Sequence, residues 1–241
     1  MHRPLSNPPT PTRIAFFGGT FDPPHRGHMA IARAAAEAFQ LDQVLFAPTG
    51  RQPLKLQAPP SSFSDRLAMV AAACAEACAQ DDAQTQERDQ SQNQAQDPNR
   101  PQAAPRFTVT DLDRPHPGTR PNYTVDALTT LRSLHPNDTL FSLAGADSFL
   151  HLHHWREPAR LLELAEWIVV TRPGYPLTED RLAPLHLTPT QRARVRILTG
   201  VAEDVSATRL RQRLQQGDPC TELLSPTVVD YIEQHRLYRP T

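Results

Sequence analysis

The stretch Gly18-Gly19-Thr20-Phe21-Asp22-Pro23-Pro24-His25-Arg26-Gly27-His28 decides the fold. A short apolar run, Ile14-Ala15-Phe16-Phe17, precedes it, and an alanine-rich helical pattern begins near Met29. Strand, glycine turn and helix in that order predict an anion site. Backbone N–H groups at a glycine turn and at a helix N-terminus face phosphates without needing lysines. His25 and His28 stand three positions apart, on one face of the first helical turn, so both reach the same phosphate. The alternative is two helix-start residues with solvated rings. A second matching element far downstream argues against it.

Two glycines before a helix are weak on their own. The dinucleotide-binding fingerprint wants a third glycine and an acidic residue at the end of the second strand. Here His25 and His28 stand where that fingerprint would continue. The pattern points away from hydride transfer and toward chemistry on a phosphate.

Working outward, strand and helix patterns alternate. Strands are predicted at Arg13 to Phe17, Gln43 to Ala47, Arg106 to Asp111, Thr139 to Ala144, Trp167 to Thr171 and Arg194 to Leu198. Helices are predicted at His28 to Phe39, Ser64 to Ala79, Asn122 to Leu134, Pro158 to Leu164, Ala207 to Gln216 and Pro226 to His235. This alternation predicts an α/β fold, a doubly wound Rossmann-like parallel sheet with helices on both faces. Ligands in such sheets sit beyond the carboxyl ends of the strands, where strand order reverses.

Residues 1–12 are proline-rich without a long apolar region, which predicts a flexible tail and no secretory signal. Residues 13–241 are read as one domain. Residues 80–105 are dominated by Gln, Asp, Asn, Ala and Pro with no apolar period, which predicts a disordered insertion. Pro173 to Pro189 is read as a second irregular connection.

The 241-residue chain carries a formal net charge of -1, so its summed field does not suggest a nucleic-acid partner. No apolar run is long enough to span a bilayer. Three cysteines, Cys74, Cys78 and Cys220, form no disulfide framework and suit a reducing cytoplasm. Cys74 and Cys78 are read as small buried side chains of one helix. His151, His153 and His154 raise a metal hypothesis, but no carboxylate sits at a matching spacing. They are read as structural or pocket-lining, with no protein metal site. The arginine runs at 192–196 and 209–213 are read as solvated faces, Arg211 apart.

The downstream element is Val205-Ser206-Ala207-Thr208-Arg209-Leu210-Arg211. Ser206 reads as a helix N-cap, and Leu210, Leu214 and Gly217 fit an amphipathic helix with a glycine stop. Taken alone it is only a good cap. Paired with the first site, two hydroxyls and an arginine at a helix start supply a second anion site. A nucleoside triphosphate needs such a pair, one pocket for the α-phosphate and one for the β- and γ-phosphates.

These segments resemble the GxFDPxHxGH and ISxTxxR signatures of the nucleotidyltransferases. Three others resemble segments of bacterial nicotinate-nucleotide adenylyltransferases: Arg120-Pro121-Asn122-Tyr123-Thr124 and onward, Gly145-Ala146-Asp147-Ser148-Phe149 followed by Trp155, and the turn Arg172-Pro173-Gly174-Tyr175. The resemblance implies joining of ATP and nicotinate mononucleotide to give nicotinate adenine dinucleotide and pyrophosphate, with Mg²⁺ bound mainly through the ATP phosphates. It implies His25, His28 and Arg211 as catalytic. Gly18, Gly19, Thr20 and Phe21 would line ATP, with Gly145 and Asp147 near its ribose and Ser206, Thr208 and Arg211 on the pyrophosphate. Lys55, Tyr123, Thr124, Trp155 and Arg172 would meet the mononucleotide. Leu54 and Arg156 depart from residues common in the family, His and Tyr. Rival readings are a nicotinamide-mononucleotide or other nucleotidyltransferase, and a non-catalytic nucleotide-binding module.

Overall fold

A computed structural model describes residues 11–53, 61–91, 104–118, 120–171, 176–201 and 205–239. Its elements in chain order are β1 (Arg13–Gly19), α1 (Arg26–Phe39), β2 (Gln43–Pro48), α2 (Phe63–Ser91), β3 (Arg106–Val109), α3 (Thr124–Leu134), β4 (Thr139–Gly145) and α4 (Ala146–Phe149). They continue as α5 (Pro158–Leu164), β5 (Glu166–Val170), α6 (Glu179–Leu182), α7 (Pro189–Ala193), β6 (Val195–Leu198), α8 (Ala207–Gln215) and α9 (Pro226–Gln234).

Alternation of side chains along β1 explains the layers. Ala15 and Phe17 face one core, with α1, α2, α8 and α9. Ile14 and Phe16 face the other, with α3, α4 and α5. A strand buried on both faces must be apolar at every position, and a parallel sheet between two helical layers provides that setting. The six strands lie in the order β3-β2-β1-β4-β5-β6, and every pairing is parallel. The chain winds outward from β1 in one direction, then returns to β4 on its other side. The reversal opens a crevice between the carboxyl ends of β1 and β4. Phe17 and Leu143 are register partners, and two residues beyond each lies a glycine, Gly19 and Gly145. The doubly wound parallel sheet is the expected fold.

Two expectations are corrected. Residues 80–91 are not disordered but continue α2 to Ser91. Ala, Gln, Glu and Arg are good helix formers without any apolar period, and the packed early turns supply the nucleus that propagation needs. Arg33 tethers this stretch, donating to the Ala77 carbonyl at 3.1 Å and pairing with Asp81 at 2.7 Å. The middle of that insertion, 92–103, lies outside the described residues. The 173–189 connection is not wholly irregular. It carries α6 and a 3-10 turn at Ala183–Leu185, and Thr188 accepts from the Gln191 N–H to cap α7.

Candidate active site

β1 emerges from the core at Gly18, which is exposed, and turns at Gly19. A Cβ on Gly19 would lie 2.9 Å from the ring of Phe21, so the turn closes only because that position has no side chain. Phe21 itself sits at φ 49, in the left-handed region. Its ring is 2% exposed and packs against Phe17, Phe46 and His28 at centroid distances of 5.4, 5.5 and 4.9 Å. The Phe21 side chain belongs to the core. Its backbone remains in the turn.

His25 is the N-cap of α1 and His28 is its third residue. The His25 N–H donates to His28 Nδ1 at 3.1 Å, and the His28 N–H donates to the His25 carbonyl at 2.9 Å. The first bond fixes a tautomer. A nitrogen that accepts from a backbone N–H carries no proton, so the neutral ring bears its proton on Nε2. The two rings stack at 3.6 Å. Burial lowers the pKa of His25 to about 4. Burial, then the neighbouring charge of His25, holds His28 well below the usual imidazole range. Both rings are therefore neutral at pH 7 in the free protein. His25 Nδ1 is buried with no hydrogen-bond partner among the described residues. Such an atom has an unmet donor or acceptor capacity that a ligand can satisfy.

The second signature comes to the same place. Ser206 caps α8, accepting from the Arg209 N–H at 3.5 Å. Arg211, one turn into α8, donates through Nη1 to the Asp22 carbonyl at 2.8 Å, across 189 residues of chain. Its Nη2 donates to Thr208 Oγ1 at 3.3 Å. Thus the glycine turn, the histidine pair and the α8 helix start are brought together, with the N-terminus of α1 carrying the histidines and that of α8 tied to the turn through Arg211. Gly145 and Asp147 stand on the other side of the crevice, exposed, at the head of the short α4.

A second cluster lies on the α3 layer. Tyr123 is the N-cap of α3 and Thr124 its first residue. Trp155 is half-buried and packs edge-on against Trp167 at 5.8 Å. The Arg156 guanidinium lies 4.8 Å from the centre of the Tyr123 ring, a cation–π contact. Lys55 and Arg172 lie outside the described residues. Among the described residues no group of three His, Cys, Asp or Glu could hold a metal ion, His151, His153 and His154 included.

Several residues that the sequence did not single out hold this architecture. Asn122, 4% exposed, is saturated with backbone contacts. Its Oδ1 accepts from the Arg51 N–H at 2.9 Å, its Nδ2 donates to the carbonyls of Asp113 (3.1 Å) and Arg114 (2.7 Å), and its own N–H donates to the Arg51 carbonyl at 2.8 Å. Gly50 lies beneath it, where a Cβ would come within 2.6 Å of Asn122 Oδ1 and of the Pro115 nitrogen. Arg66 and Tyr238 also reach the turn between β1 and α1. A polar residue between an apolar helix and a loop was the available signal for Asn122, and nothing in the sequence signalled the other two.

The chain matches the family model described as cytidylyltransferase-like over residues 16–213. A protein of a Roseiflexus species is 38% identical over 231 residues, 94% of this chain and 98% of that protein. One from Thermus thermophilus is 37% identical over 227 residues, 94% of this chain and 100% of that protein. Both bear the name "Probable nicotinate-nucleotide adenylyltransferase". The chain belongs to the nicotinate-nucleotide adenylyltransferase family. This adenylyltransferase is a nucleotidyltransferase enzyme of the cytidylyltransferase-like fold. A solved structure, the Plasmodium falciparum nicotinic acid mononucleotide adenylyltransferase complexed with NaAD, superposes with a TM-score of 0.64 at 18% identity, over 94% of this chain and 97% of that one. At that identity the likeness speaks for the fold.

Proposed function

We propose that this enzyme transfers the adenylyl group of ATP to the 5′-phosphate of nicotinate mononucleotide, a step of NAD biosynthesis. The phosphate oxygen attacks the α-phosphorus in line. A new P–O bond forms, the bond to the β-phosphate oxygen breaks, and pyrophosphate leaves with nicotinate adenine dinucleotide as the other product. The carrying observation is the Arg211–Asp22 contact, which joins two anion-facing helix starts into one triphosphate cradle.

The nucleophile is already an anion, so no strong base is needed. Catalysis then rests on position and on charge placed against the transferred phosphoryl oxygens. His28 Nε2–H donates to the α-phosphate, and His25 orients the α- and β-phosphates beside it. A bound polyanion offsets the burial that keeps both rings neutral and raises their pKa values. Arg211, with Ser206 and Thr208, receives the departing pyrophosphate. Gly18, Gly19 and the Thr20–Phe21 backbone border the nucleotide, with Gly145 and Asp147 near its ribose. Magnesium enters as part of the ATP substrate. Asp22, the carboxylate of the turn, is engaged by Tyr238 and by the Ser61 N–H, so the donor chemistry suits a cation held by phosphate oxygens and water.

Tyr123, Thr124 and Trp155 frame the pyridine ring, with Lys55 and Arg172 as further mononucleotide contacts. Arg156, stacked on Tyr123, puts a cation beside that ring. A nicotinate carboxylate gains from this charge, and a nicotinamide does not. Among the described residues no helix is long and apolar enough to cross a membrane, and the three cysteines are free. These features support a cytoplasmic enzyme whose partners are its small-molecule substrates.

The test is pyrophosphate release with ATP and each mononucleotide in turn. Nicotinate mononucleotide should be the better substrate by kcat/KM. His28→Ala should lower kcat about a hundredfold or more while changing the KM for ATP far less. A KM effect with kcat intact would make His28 a binding residue only. ATP binding without pyrophosphate release would leave a nucleotide-sensing module.

A further inference from the structure

The turn between β1 and α1 is gripped at three points by side chains from three distant elements. Arg66 of α2, 1% exposed, donates through Nη1 to the Thr20 carbonyl at 2.8 Å. Arg211 of α8 donates to the Asp22 carbonyl. Tyr238, four residues beyond α9, donates its hydroxyl to Asp22 Oδ1, and the Ser61 N–H reaches Oδ2 at 3.4 Å. Asp22 is 1% exposed and Tyr238 is 9% exposed. Between the gripped residues sits Phe21 at φ 49. That conformation costs a non-glycine residue of order 1 kcal/mol or more, and it persists only where the surroundings over-determine it. Tyr238 is itself left-handed at φ 57, as is Arg236 at φ 53, so the chain after α9 is folded back to deliver the hydroxyl.

We propose that Arg66 and Tyr238 are positioning residues for adenylyl transfer, holding the Thr20–Asp22 backbone in the shape that receives the triphosphate. Neither reaches substrate. Each acts through the turn, and Tyr238 acts also on Arg211, since both bond the same aspartate. The inference rests on the placement of the triphosphate under Proposed function. Removing either grip lets Phe21 relax from its left-handed conformation, and the Thr20–Asp22 backbone loses its fixed shape. A misplacement of about 1 Å suffices to cost about a hundredfold in rate.

Tyr238→Phe removes one hydroxyl, and Arg66→Lys keeps a charge but loses the planar fork. Two readouts are taken on each full-length variant: steady-state pyrophosphate release, and the rise in melting temperature given by ATP alone and by nicotinate mononucleotide alone. The expected result is a fall in kcat of about tenfold or more, loss of the ATP-induced melting shift, and a KM and melting shift for the mononucleotide within about twofold of the parent. A purely structural role would move both ligand shifts together. Parent-like ATP shifts and kcat would overturn the proposal, and so would equal losses toward both ligands. If Tyr238→Phe does not fold, Arg66→Lys decides by the same readouts. Failure of both to fold overturns the proposal, since both residues would then be pillars of the core. A parent protein that binds ATP yet releases no pyrophosphate overturns the proposed reaction, while the ATP melting shift still tests the grip.

Discussion

Two buried residues, His25 of the site and Asp113 behind the head of α3, have pKa values shifted in opposite directions, and the difference is measurable. His25 has a pKa lowered to about 4 by burial, against an ordinary 6.5. The unfolded chain therefore binds more protons than the folded one between those values, and His25 makes stability fall as pH drops from 6.5 to about 4. Asp113 is 6% exposed, and burial raises its pKa from 3.8 to about 6. Here the folded state binds more protons, so the stability present at low pH is lost as pH rises through about 6. Each contributes a slope of at most about 1.4 kcal/mol per pH unit. Chemical unfolding of the ligand-free protein from pH 8 to pH 4 should separate them. His25→Asn should gain relative to the parent as pH falls below 6.5. Asp113→Asn should be ahead of the parent at pH 8 and lose that lead by pH 4. Parallel curves for the parent and both variants would refute the assignment. Functionally, a neutral histidine pair avoids like-charge repulsion at 3.6 Å until a polyanion arrives.

Among the elements, the head of α3 shows how a loop cluster is given a shape. The α3 layer presents Tyr123 and Thr124, and their direction depends on Asn122, which ties them to the segments after β2 and β3. Asn122→Ala would remove the partners of the Arg51 N–H and the Arg114 carbonyl, both part-buried, and would leave the buried Asp113 carbonyl with the Gly50 N–H alone. Such a loss costs about 1–3 kcal/mol, or roughly 2–4 °C in melting temperature per kcal/mol for a chain of this size. The same change should raise the KM for the mononucleotide by about tenfold and leave that for ATP within about twofold, because the hydrogen bonds described for Asn122 go to Arg51, Asp113 and Arg114 and not to the β1 turn. Equal effects on both substrates would mean that the clamp supports the whole crevice. Most element boundaries were legible to within a few residues, because β1 to β6 are short apolar runs bounded by turn residues and Pro158, Ser206 and Pro226 mark helix starts. The far end of α2 was not. Its composition carries no apolar period, yet Ala and Gln need only a packed neighbour turn to continue a helix.

At the scale of the whole molecule, the legible part is the part written locally. A glycine turn after a strand, two histidines at a helix start and a capped Ser206 each declare their chemistry within a dozen residues. The doubly wound order then brings the first and last of these together at the reversal between β1 and β4, as alternation of strands and helices implies. What could not be read is what only the closed fold creates: Arg66 beneath Thr20, Tyr238 beneath Asp22, and Asn122 between two loops. Arg66 and Tyr238 have no local signature and Asn122 only a faint one, because each bonds backbone or a side chain made close by packing alone. The Gln-rich segment is the converse case, conspicuous in sequence, while its described helical part runs exposed at residues 82–86. α2 touches β3 and α9 through its early turns, and Cys78 lies against the Phe107 backbone at 3.4–3.5 Å. Among the described residues the outermost tether of α2 to the body is the Arg33–Asp81 pair at 2.7 Å, and residues 82–86 are exposed. Replacing residues 84–103 with a short glycine-serine linker therefore removes no described contact that orients the crevice. Loop length changes closure entropy only slowly, about 0.6 kcal/mol per doubling. The shortened chain should keep its melting temperature within about 3 °C and its kcat/KM for both substrates within about twofold. A larger loss of kcat/KM for one substrate alone would assign the segment a part in binding that substrate, and would show that a stretch without apolar pattern reaches back to the crevice.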